Sequence, residues 1–180
     1  MDENIPIEQR DANYWSAEFH KIAFPGMDLM ECVFFRTVGI DFGEKQKLLH
    51  QITPEFMKFL ADNYAEDLET ADVPESGLYL MQKGKVPPHF TIHLKYPLEY
   101  GGVVDFQHLC LMQDIPYHHR IHQFIARQFI SPDKSLIKPR RLYIPTPPGR
   151  VYMPYLPSGS SGGGKAVSAA VMANMGNAGR

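Results

Sequence analysis

The sequence is short of several things, and each shortage closes off a class of protein. It has no surplus of basic charge: 18 Lys and Arg stand against 20 Asp and Glu, for a net charge of −2. A nucleic-acid-binding surface shows itself as a clear excess of Lys and Arg, so no nucleic-acid partner is expected. No apolar run approaches the ~20 residues that cross a bilayer, so membrane insertion is not expected either. The start, Met1-Asp2-Glu3-Asn4, is acidic and lacks the basic region and apolar stretch of a secretory leader. Cysteine is scarce, with only Cys32 and Cys110. Both sit in apolar runs and read as small buried hydrophobes in a reducing compartment. The expected location is the cytoplasm or an assembled particle, without export through a signal peptide.

What is present is enough to build a core. The 180 residues are 44% hydrophobic and include 11 Phe, 9 Tyr and 1 Trp. Residues 1–144 read as one compact α+β domain. His89-Phe90-Thr91-Ile92-His93-Leu94-Lys95-Tyr96 alternates with period two, which puts Phe90, Ile92, Leu94 and Tyr96 on a buried face. His89, Thr91, His93 and Lys95 then share a wetter face. Gly77–Gln82 before it and Val103–Met112 after it read as neighbouring strands of an antiparallel meander. A helix follows from Asp114, its N-cap, with Tyr117, Ile121, Phe124, Ile125 and Phe129 as the buried stripe. Laying that stripe on the apolar sheet face gives a two-layer sandwich, packed on one side by helices. The same reasoning predicts one core from Phe90, Ile92, Leu94, Phe106, Ile121, Phe124 and Phe129.

Upstream, residues 10–22 read as a short helix, 29–38 as a strand, and 53–68 as a helix capped by Thr53 with Pro54 in its first turn. Residues 66–75 read as a solvated acidic loop. Residues 136–144 read as an edge strand protected by Lys138, Arg140 and Arg141. Residues 145–180 form a C-terminal arm, Pro-rich and then Gly/Ser-rich, ending in a short Ala-rich helical tip. That tip offers Val167, Val171 and Met175 as a protein-interaction face, too small to fold alone.

Several constellations bear on chemistry. Gly159 to Ala166 matches most of a phosphate-binding P-loop but lacks the final Ser or Thr whose hydroxyl would hold Mg²⁺. His118 and His122 stand one helical turn apart, a spacing a metal can bridge. His119 stands where a zinc peptidase of that spacing carries its glutamate, and a third ligand would come from elsewhere, such as His108. His89-Phe90-Thr91-Ile92 resembles the His-hydrophobic-Thr-hydrophobic signature of two-histidine phosphoesterases, which implies paired histidines as acid and base. The second copy that family needs is absent. The order of strands, Tyr96-Pro97, Cys110 and helix is similar to the core of ubiquitin-conjugating enzymes, without their His-Pro-Asn segment.

These residues assemble no nucleophile, base and orienting group, so no catalytic, cofactor-binding or metal residues are assigned. The expectation is a non-enzymatic structural or adaptor subunit of a larger assembly, such as a virion, phage tail or secretion-type machine. Its arm would contact other protein subunits, of the same or a different chain, at raised effective concentration. The alternatives are a small histidine-dependent hydrolase using the His89–Thr91 strand and a regulatory protein-binding module. For the hydrolase, the residues to watch are His89, His93, His108, His118 and His122.

Overall fold

The computed structural model describes residues 9–22, 24–34, 40–98, 101–129 and 140–154. Among the described residues five α-helices and four strands follow one another, and the strands pair as two two-stranded antiparallel sheets, so the α+β class holds. Helix α1 spans Ala12–Ile22 and strand β1 Asp28–Phe34. Asp11 starts α1, its carboxylate accepting the Tyr14 amide at 3.0 Å. Helices α2, α3 and α4 span Ile40–Asn63, Ala65–Thr70 and Glu75–Gln82. Strands β2 (Phe90–Leu94) and β3 (Leu109–Gln113) pair, with His93 opposite Cys110. A π-type turn, Asp114–His118, leads into α5, His119–Ala126. Strand β4, Arg140–Thr146, returns to pair with β1.

The β2–β3 hairpin is a partition with a hydrophobic core on each side. One core holds Phe56, Leu60, Leu68, Met81, Leu94, Leu109 and Leu111, supplied by α2–α4 and one hairpin face. The other holds Trp15, Phe19, Cys110, Met112, Ile121, Phe124 and Ile144, supplied by α1, α5, the β1–β4 pair and the opposite face. The single core expected from the sequence is therefore two. Phe90, Ile92, Leu94 and Phe106 belong to the α2 side, whereas Ile121, Phe124 and Phe129 belong to the α5 side. The reason is that α5 covers the face bearing Thr91 and His93, the one that alternation marked as wet. His93 is 2% exposed.

Other local expectations shift for identifiable reasons. Gly77–Gln82 is helix, not the first strand of the meander. Its Met81 is fully buried, with Leu78 packed beside it. Gly77 is small because a Cβ there would meet Pro87 Cβ at 3.0 Å and Val73 Cγ1 at 3.1 Å. A short apolar run does not by itself distinguish strand from buried helix. Of the expected third strand, Val103–Met112, only the part from Leu109 onward is strand, within β3. Helix α2 runs through Pro54 instead of starting at Thr53, and the Thr53 hydroxyl donates back to the Leu49 carbonyl at 2.7 Å. The bond lost at proline is offset by packing of Phe42, Leu49 and Ile52 on the α2-side core. The acidic stretch 66–75 is not a solvated loop, because Leu68, Ala71 and Val73 are buried.

The packed body continues past β4. The Leu111 amide donates to the Arg150 carbonyl at 2.8 Å and the Tyr152 amide to the Leu111 carbonyl at 2.9 Å, laying Val151 parallel to β3. Tyr152 is buried, and its hydroxyl donates to the Pro25 carbonyl at 2.7 Å. Buried Gln128 fixes β4 to the end of α5. Its Nε2 donates to the Tyr143 carbonyl at 2.7 Å, and its Oε1 accepts the Tyr143 amide at 2.9 Å.

Candidate metal centre

Between the hairpin and α5, three imidazoles meet. His93 comes from β2, on the face that looks toward α5. His118 ends the π-type turn and His122 lies one turn further along α5, so both present to the same side of the helix. The ligating nitrogens of the three rings all lie within 4.8 Å of one another. His118 Nε2 and His122 Nε2 are 3.0 Å apart. The ring centroids of His93 stand 5.5 Å from His118 and 6.1 Å from His122, each edge to face.

The environment of His93 is unusual for a histidine. Its Nε2 is buried and has no hydrogen-bond partner among the described residues. Burial, reinforced by the neighbouring His118 and His122 rings, pushes its pKa down to about 3. The ring is therefore neutral, with one nitrogen stranded in an apolar pocket beside two other imidazoles. A buried polar atom left unpaired costs about 1–3 kcal/mol, so such atoms call for an explanation.

A tetrahedral ion with nitrogen ligands at about 2.0–2.1 Å holds them about 3.3 Å apart, close to the separation His118 and His122 already have. Neutral imidazole suits zinc, copper, iron and nickel. Among the described residues the group has three members, and no carboxylate or thiolate joins it. His93 closes the back of the site, while His118 and His122 are partly exposed and leave its front open.

Beside the centre lies a cavity of about 620 Å³ lined by Asp72, Ser76, His89, Gln113, Asp114 and Ile115, among others. Asp114 links the two, lining the cavity while its Oδ1 lies 2.9 Å from His118 Nδ1. It does not cap the helix with its side chain, as the sequence suggested.

The residues singled out from sequence divide clearly. His118 and His122 come together as their spacing implied. The third member is His93, not His108, whose Nδ1 pairs with Asp105 at 2.8 Å instead. His89 lines the cavity in a left-handed conformation (φ 66°), and Thr91 sits opposite Met112; neither joins the trio. Cys110 is fully buried, and desolvation pushes its thiol up to about 12, which removes it as a nucleophile. The stretch 159–166 and the tip residues Val167, Val171 and Met175 lie outside the described residues. Among the described residues no helix is long and apolar enough to cross a membrane.

No protein-family model matches the chain, and no solved structure matches it. It is similar to an uncharacterized protein of Escherichia coli (strain K12), YhhZ, at 29% identity over 100 residues. That match covers 52% of this chain and 23% of the relative, so the chain spans about a quarter of that protein's length.

Proposed function

We propose that this chain is a metal-dependent hydrolase module whose centre holds a divalent transition-metal ion on His93, His118 and His122. The observation that carries the reading is the buried, unpartnered Nε2 of His93, set beside two further imidazoles. A metal gives that nitrogen the partner the protein does not. Structural zinc sites are closed by four protein ligands, whereas catalytic ones use three and leave a position open. Three histidines with an open front follow the second pattern. An ion held there supplies a water acidified toward neutral pH and a Lewis acid for the substrate oxygen.

Charge narrows the substrate. Three neutral imidazoles leave both positive charges of the ion uncompensated by its ligands, and Asp114 offsets one of them from behind His118. Such a centre favours an anionic substrate over a neutral one, and a phosphoester is the class that combines negative charge with a hydrolysable bond. This differs from the sequence expectation, which assigned no metal.

The test is metal content of protein purified without chelator, followed by hydrolysis of bis(p-nitrophenyl) phosphate and p-nitrophenyl acetate with zinc, nickel and manganese. Stoichiometric metal, lost in His93→Ala, with the phosphodiester preferred, is the expected result. A wild-type protein that neither retains nor takes up any of these ions overturns the proposal. Assembly through the arm is a separate proposal, supported only by the composition of residues 145–180.

A further inference from the structure

Resting on the metal centre proposed above, we infer that Asp114 is its positioning residue and sets the tautomer of His118. An ionised carboxylate only accepts hydrogen bonds, so the His118 Nδ1 that meets Asp114 Oδ1 at 2.9 Å carries the proton. The lone pair is thereby left on Nε2, the nitrogen that stands 3.0 Å from His122 Nε2. Without the carboxylate, the proton is free to sit on either nitrogen, and half of that choice turns an N–H toward the ion.

Asp114 is held for this task from the sheet side. Its amide donates to the His89 carbonyl at 2.9 Å, at the start of β2, and it directly follows the last residue of β3. Ile115 then breaks the helical path with an extended backbone (φ −115°, ψ 128°). The carboxylate so placed reaches forward to His118. A histidine of the helix is thus aimed by a residue anchored to the hairpin, so the two halves of the centre are registered to each other before an ion arrives. The side chain of Asp114 is 53% exposed and fills no core, so removing it leaves the fold in place.

The experiment compares wild type with Asp114→Ala and Asp114→Asn, using imidazole ¹⁵N spectra of metal-free protein at pH 8 and zinc affinity by chelator competition. Wild-type His118 is expected to carry its proton on Nδ1. Asp114→Ala should show mixed tautomers and bind zinc about 10–100-fold more weakly. Asp114→Asn should do no better, because its amide can donate to Nδ1 and hold the proton on Nε2. Both variants should keep the wild-type thermal midpoint without metal. A wild-type ring protonated on Nε2, or variants that match wild-type zinc affinity, overturns the inference. If wild type binds no zinc, the metal reading fails, while the tautomer spectra still decide whether Asp114 sets the ring.

Discussion

The two faces of the β2–β3 hairpin are both buried, yet they are built of different material. Toward α2–α4 it presents Ile92, Leu94, Leu109 and Leu111, hydrocarbon throughout. Toward α5 it presents Thr91, His93, Cys110 and Met112, in the same register and at similar depth. A face that serves only stability has no reason to strand an imidazole nitrogen. The α5 side does so, and it also carries two further histidines on the covering helix. The contrast sets a core of hydrocarbon beside a core that also borders the cluster of three histidines.

The largest effect should come from emptying either core. Phe56→Ala and Phe124→Ala each remove a ring that is 0% exposed, and each should lower stability by about 3–5 kcal/mol in chemical denaturation. The comparison sharpens when metal affinity is measured beside stability, at a temperature where both variants remain folded. Phe124 packs α5, the helix that carries His122, onto Trp15 and Phe19 of α1, so its loss should weaken zinc binding, while loss of Phe56 should not. Equal losses of affinity in both variants would erase the distinction between the two faces.

A smaller effect, opposite in sign, is expected at His93. In metal-free protein His93→Leu should raise stability by about 1–3 kcal/mol, because it removes an unpaired polar atom, while abolishing metal binding. The same change should flatten the pH profile. The folded ring titrates at about 3 and the unfolded one at 6.5, so between those values only the unfolded chain takes up the proton. The contribution of neutral His93 to the stability of metal-free protein is therefore fully present above pH 6.5. That contribution falls by up to about 1.4 kcal/mol for each pH unit toward 3. Denaturation series from pH 8 to 4 on wild type and His93→Leu measure the difference between the two slopes.

The smallest effect on the body should follow deletion of residues 158–180. Among the described residues both cores are built from side chains between Tyr14 and Met153, so the thermal midpoint is expected to stay near the wild-type value. Arm-mediated assembly, if the chain uses it, should disappear from a native mass measurement. An undiminished assembly in the truncated protein rules out the arm as its agent.

How far these features can be read from sequence depends on the residue. The stripe Tyr117, Ile121, Phe124 and Ile125 declares α5, and the four-residue spacing of His118 and His122 declares one side of the site. His93 does not declare itself. Flanked on its own face by Thr91 and Lys95, it looks like part of a wet surface. The missed signal was in the partner strand: Leu109-Cys110-Leu111-Met112 is apolar at every position, which requires cover on both faces of the hairpin. With both faces covered, a histidine on β2 must be buried, and a buried histidine needs a partner. Gly77–Gln82 misled for another reason, since six apolar-rich residues fit either period and only the packing of Gly77 against Pro87 and Val73 decides.

The pairing of β1 with β4 has a consequence for when the fold can finish. Cys32 and Leu142 are 110 residues apart in sequence, yet the thiol of one reaches the carbonyl of the other at 3.5 Å. Closing so long a loop is a late event, because its entropy must be met before the contact returns anything. The hairpin, the turn and α5 span only Phe90–Ala126, so the three histidines can gather before β1 and β4 pair. In refolding of the whole chain, the expected sequence is site first and seal second. Pulsed hydrogen exchange during refolding should then protect β2, β3 and α5 ahead of β1 and β4.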